Sequence, residues 1–139
     1  MSGPSVFGPD VYASRRDVDG VVVAVLRGVT DQRGLYLTEL RSRAVSKHAV
    51  HELMITNEQA DPETTVNHVA LIAFFEVENS GVLLVGDQVY WGDTLLGMVA
   101  GFNETHMPNH QNICLKAEEI RDGETLDLSV DDKIHFRRG

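Results

Sequence analysis

The chain has 139 residues and a mass of 15.4 kDa, which fits one hydrophobic core and not two. Its 12 Lys and Arg are outnumbered by 21 Asp and Glu, a net charge of −9 with histidines neutral; no cationic run exceeds a pair, which argues against a general nucleic-acid binder. A single cysteine, Cys114, leaves no internal disulfide and no cysteine-built zinc cluster.

Residues 1–19 concentrate proline and glycine and end in Arg15-Arg16-Asp17-Val18-Asp19, the pattern of an irregular arm. The start Met1–Pro9 has neither the basic nor the long apolar region of a secretory signal, and no apolar run is long enough for a membrane helix. The expectation is a cytoplasmic protein without membrane or nucleic-acid partners.

A single domain is predicted over 20–139. It opens with the β-branched run Val21–Leu26, followed by turn residues at 29–34 and a return strand at Leu35–Thr38. Residues 39–50 fit either a short helix, with Leu40, Ala44, Val45 and His48 on one stripe, or extended chain. His51–Thr56 alternates as a strand, and 57–65 is a loop around Asp61-Pro62. Asn67–Val77 is apolar on both faces, with Val69, Leu71, Ala73, Phe75 and Val77 on one and His68, Ala70, Ile72, Phe74 and Glu76 on the other. That suits a central strand, or a barrel strand that also meets a second subunit, and a homodimer is expected.

Beyond Glu78–Gly81 come short strands punctuated by Gly86-Asp87 and Gly92-Asp93, then Leu95–Phe102, Ile113–Ala117, an alternating Leu126–Val130 and Lys133–Phe136. Many short strands at this spacing predict an all-β fold: a small barrel or barrel-like sandwich with at most one short helix. Val85-Gly86-Asp87-Gln88-Val89-Tyr90-Trp91 echoes Val130-Asp131-Asp132-Lys133-Ile134-His135-Phe136. Two copies are too few for a repeat array, and the echo reads as convergent turn chemistry.

Phosphate-cradling glycine loops, dinucleotide fingerprints, nucleophile elbows and zinc-finger spacings are absent from the sequence. The candidate chemistry lies in Phe102–Asn112, a connection too long for a simple hairpin, which carries Glu104, His106, Asn109 and His110 around Pro108. If the strand phase continues, Glu104 and His106 point inward over the barrel mouth. Glu104, His106 and His110 are the expected catalytic groups. They could also hold one divalent ion, Zn or Fe, with His51 or His68 completing the set, since two imidazoles and a carboxylate leave open positions for water and substrate. The plainer alternative is that the loop histidines bond their own backbone.

Asn109, Tyr90 and Arg41 are the expected substrate contacts, and Arg27 and Arg43 further cations for an anionic substrate. His48 and Glu52 form a second potential ion-binding pair. His135 is expected in solvent without a role, and Cys114 as a buried structural thiol. The function expected is a small barrel enzyme of hydrolase, lyase or isomerase type acting on a small polar metabolite. The competing expectation is a non-catalytic ligand-binding or assembly module.

Overall fold

The computed structural model of the chain describes residues 11–139. In chain order its elements are β1 (Val18–Val25), β2 (Val29–Thr30), β3 (Leu35–Tyr36), β4 (Ser42–Val45), β5 (Val50–Thr56), β6 (Thr65–Val66), β7 (Val69–Val77), β8 (Gly81–Leu84), β9 (Gln88–Trp91), β10 (Thr94–Asn103), β11 (Asn112–Lys116), α1 (Gly123–Leu126) and β12 (Lys133–Arg137). Seven strands bond in the order β1-β12-β9-β10-β11-β5-β7, and β7 pairs back onto β1. The ring closes, so the domain is all-β and barrel-like, with one short helix. Every pair in the ring is antiparallel except β5–β11, which runs parallel.

Alternation along the strands sorts side chains into two apolar clusters. Inside the ring lie Leu53, Phe75, Phe102, Leu115, Ile134 and Phe136 with their neighbours. Outside it, Met54, Val69, Ala100 and Cys114 are covered by Leu35, Leu37 and Val66, which belong to the β3–β6 ribbon and its continuation. The packing is close: a Cβ added at Gly101 would meet Leu37 at 3.1 Å. Fully burying a leucine is worth about 2 kcal/mol, so Leu35 and Leu37 alone hold the ribbon down firmly. The second apolar face of Asn67–Val77 is therefore covered by the chain itself, and its composition does not call for a partner subunit.

Strict alternation fails where strands bulge. Leu53 pairs with Ala73 but Met54 with Leu71, leaving Ile72 as an extra residue on β7. Phe75 and Ala73 face inward on one side of the bulge, Ile72 and Ala70 on the other. Val69 and Leu71 consequently join the outer cluster.

The two acidic turns share one hydrogen-bond pattern. Asp87 N–H donates to Leu84 O (3.0 Å) and its carboxylate receives Leu84 N–H (2.8 Å); Asp132 N–H donates to Ser129 O (3.1 Å) and its carboxylate receives Ser129 N–H (2.8 Å). Each turn has a positive φ just before its aspartate, +99° at Gly86 and +78° at Asp131. The first turn bonds Val99 of β10 and the second bonds Val22 of β1, each through the same two backbone bonds. Beyond the turns, β9 pairs with β12 so that Tyr90 faces His135, and each is the third residue after its turn aspartate. β1–β7 and β10–β11 carry matching bulges, between Val22 and Ala24 and between Val99 and Gly101. The sequence echo is thus part of a larger repeat: β1-β7-turn-β9 recurs as β10-β11-turn-β12, and each turn bonds the first strand of the other half. The β9–β12 register is symmetric about the Tyr90–His135 pair, with Trp91 facing Ile134 and Val89 facing Phe136.

Three further segments differ from expectation. Residues 42–45 are extended and pair with β8, which resolves the 39–50 segment as strand and turn. The alternating stretch Leu126–Val130 is not a strand. Asp122 caps α1 by accepting Thr125 N–H (2.7 Å) and also receives Gly28 N–H (2.8 Å), while a Cβ at Gly123 would lie 2.0 Å from Ile72 O. Val130 is exposed at the second acidic turn. The predicted arm lies partly outside the described residues; over 11–17 it has no strand, but Arg15 is pinned to Asp87 by two bonds of 2.9 and 2.6 Å. Among the described residues, no helix is long and apolar enough to cross a membrane.

Candidate functional site

β10 ends at Asn103, and β11 begins at Asn112, which is its cross-strand partner. The Asn103 carboxamide anchors what lies between them. Its Nδ2 donates to Tyr36 O (2.8 Å), which fixes Oδ1 as an acceptor for Thr105 N–H (3.2 Å) and Asn112 Nδ2 (3.1 Å). Gln111 Nε2 donates to Asn103 O at 2.9 Å. The loop also bonds itself, Met107 N–H to Glu104 O and Asn109 N–H to His106 O, and its Met107–Pro108 peptide is cis.

This frame lays the loop against β5 and β7. Glu52 of β5 is the parallel partner of Asn112 and the antiparallel partner of Phe74. Met54 and Cys114, two residues farther along their strands, belong to the outer cluster, so Glu52 and Asn112 stand on the outer wall. His110 packs edge-on against Phe74, ring centroids 5.0 Å apart, with His106 beside it at 5.2 Å. His110 Nε2 stands 3.6 Å from Glu52 Oε1, and the two side chains are only 12% and 10% exposed. Asn109 Nδ2 lies 3.2 Å from His110 Nδ1; with the amide as donor, the proton of the neutral ring sits on Nε2, facing Glu52.

Burial pushes the Glu52 carboxyl above its ordinary pKa, and the nearby charges of His110, Arg33 and His106 restrain that rise. His51 faces the interior, edge-on to Phe75, and its Nδ1 accepts Gln111 N–H at 3.0 Å. Burial first, then the charges of His110 and Arg43, lower its pKa. One end of the barrel thus holds a carboxyl with a raised pKa on the outer face of β5 and an imidazole with a lowered pKa on its inner face; shifted groups of this kind are found at acid–base sites.

Polar satisfaction fails here more than elsewhere. Four buried side-chain polar atoms of the described residues lack a hydrogen-bond partner, and three of them belong to consecutive residues: His110 Nε2, Gln111 Oε1 and Asn112 Oδ1. The fourth, Arg15 Nε, lies by the first acidic turn.

The expected site is gathered only in part. His106, Asn109 and His110 are together, and His51 is near. Glu104 is held by Arg43 through a 3.1 Å ion pair, so it is not the free carboxylate expected at the mouth. His68 is excluded by strand length. It precedes Val69, the partner of Thr56, and so lies about 20 Å down the strand from His51 at roughly 3.3 Å per residue; there it pairs with Asp31. The five expected ligands, Glu104, His106, His110, His51 and His68, therefore do not form one shell. Among the described residues no three His, Cys, Asp or Glu side chains are arranged to hold a metal ion.

Tyr90 stands about 26 Å along β10 from the loop, opposite Leu95, at roughly 3.3 Å per residue. It lines an open cleft of about 370 Å³ with His135 and Arg137. His135 is not simply solvated, because its Nδ1 bonds Asp19 at 2.8 Å. Arg41 is exposed, and its carbonyl receives Val85 N–H; Arg43, two residues on, is the cation that reaches the loop. His48 pairs with Glu76 at 2.8 Å rather than with Glu52.

Sequence reasoning placed Glu52 with His48 and missed its partnership with His110, Asn112 and Phe74. The signal that could have found it is the position of Glu52 in the His51–Thr56 alternation, on the face opposite His51. No curated protein and no solved structure matches the chain. A model of a family of unknown function (DUF6917) matches residues 12–137, and the chain belongs to that family.

Proposed function

We propose that the protein is a small barrel enzyme that moves a proton on a small polar metabolite, with Glu52 and His110 as the working pair. The observation that carries this reading is the unpartnered Nε2 of His110, buried 3.6 Å from a carboxyl that burial keeps from ionising readily. A carboxyl with a raised pKa exchanges protons closer to neutral pH than a free one, and an adjacent imidazole can supply or receive the second proton of an isomerisation or elimination. His106, at the exposed side of His110, borders the approach. The chemistry asks for no metal, in keeping with the separation of the expected ligands.

The test works while the substrate is still unidentified. Protein incubated in D2O with a panel of small polar metabolites is expected to place deuterium at a carbon position of one of them, read by mass spectrometry. E52Q and H110N are expected to lose that exchange while keeping the wild-type circular dichroism. Binding of a panel member without any exchange would support the non-catalytic module instead. Stoichiometric zinc or iron in the purified protein, lost in H110N, would replace proton transfer by coordination chemistry.

A further inference from the structure

The orphaned atoms at the loop-covered end say what kind of group the site is built to meet. Asn112 is fully buried and Gln111 is 1% exposed. The oxygen and nitrogen of each carboxamide are told apart by the network. Asn103 Oδ1 is already fixed as an acceptor, so the Asn112 atom 3.1 Å from it is the NH2 group; the Gln111 atom facing Asn103 O must likewise be its NH2. Both orphans are consequently carbonyl oxygens. Each lacks a donor, and a buried acceptor left unmatched costs about 1–3 kcal/mol.

Asn112 adjoins Glu52 as its parallel partner, and the two residues share the outer wall, whereas Gln111 precedes Asn112 in the strand phase of Ile113, which faces the interior. Arg33 and His106 contribute positive charge toward Glu52, but neither hydrogen-bonds it. The other nearby cation, Arg43, is occupied by Glu104. The loop-covered end is therefore rich in acceptors, with the Nε2–H of His110 as the donor at its centre.

We infer that this end of the barrel recognises the nitrogen of its ligand: an amine or primary carboxamide whose N–H groups are received by Glu52 and Asn112. The inference rests on the reading of Glu52–His110 as the site and narrows its substrate class. A carboxamide suits the arrangement fully, because its N–H groups meet the acceptors and its C=O can meet His110 Nε2–H. An isosteric carboxylate presents only acceptors to acceptors. Sites built around buried hydrogen-bonding groups discriminate strongly against analogues that leave them unpaired.

The experiment titrates the intact, isotope-labelled protein with propionamide, propylammonium and propionate, following the side-chain NH2 signal of Asn112 and the ring signals of His110. The expected result is saturable shifts with propionamide or propylammonium, at an apparent affinity at least tenfold above that of propionate. N112L is expected to abolish the difference between amide and acid, and E52Q serves the same purpose for the ammonium probe if N112L does not fold. Propionate binding as well as the amide overturns the nitrogen preference while leaving the site itself in place. Silence of these signals toward all three probes, with wild-type fold intact, overturns the inference and counts against the site reading as well; ordered water then satisfies the orphaned oxygens.

Discussion

The repeated acidic turns give a quantitative comparison within one chain. Asp87 and Asp132 occupy equivalent places and bond their turns alike, but only Asp87 also holds a buried cation: Arg15 reaches it with bonds of 2.9 and 2.6 Å, at side-chain exposures of 8% and 4%. Asp87→Asn leaves the guanidinium facing an NH2 group, and unpairing a buried charge costs about 3 kcal/mol at the low end of its range. Asp132 receives Ser129 N–H and Trp91 Nε1–H (3.0 Å) and, among the described residues, pairs with no cation. Asp132→Asn keeps one carbonyl acceptor and is expected to cost about 1 kcal/mol. An unfolding entropy of about 2.1 cal/mol/K per residue amounts to about 0.29 kcal/mol/K for this chain. D87N is therefore expected to lower Tm by about 10 °C and D132N by about 3 °C, measured by differential scanning calorimetry at pH 7. Equal shifts, or a larger one for D132N, would refute the argument that Arg15 makes the difference.

Two other perturbations follow from the same physics. Because Glu52 has a raised pKa in the folded state, its contribution to stability is full below the unfolded carboxyl pKa and is lost as pH rises through the folded value. E52Q should thus be relatively more stable than wild type near pH 7 than near pH 4, read from urea midpoints; a variant whose relative stability falls with rising pH would contradict the assigned direction. Cys114 is fully buried, and burial pushes its thiol pKa up to about 12, so an aromatic disulfide reagent at pH 8 should leave it unmodified for hours and label it promptly in denaturant. Rapid labelling of the native protein would show that the β3–β6 ribbon opens readily.

The strands were legible because their alternation is strong, as in Leu53 and Ile55 or Ile113 and Leu115. Bulges were not: nothing in Val69–Val77 announces that Ile72 is the extra residue and that the faces exchange there. The segment Leu126–Val130 misled because a period of two describes residue order only, whereas the Asp122 cap and the contact of Gly123 with Ile72 O decide the local backbone. The loop stood out as a polar interruption between apolar strands, and His106 and His110 do lie together at one end of the barrel. Glu52 was hidden because it meets His110 through the parallel β5–β11 pairing, a long-range contact that local spacing cannot encode. Glu104 misled for the converse reason, since its partner Arg43 lies on a distant strand.

Carbon-13 NMR of the Glu52 side-chain carboxyl, followed through a pH titration of the native protein, probes the proposed pair most directly. Burial beside His110 predicts a midpoint above the ordinary carboxylate range, displaced again when His110 is replaced by asparagine. A midpoint at or below that range, unchanged in H110N, would mean that the two groups are electrostatic strangers and that the proton-transfer site does not exist.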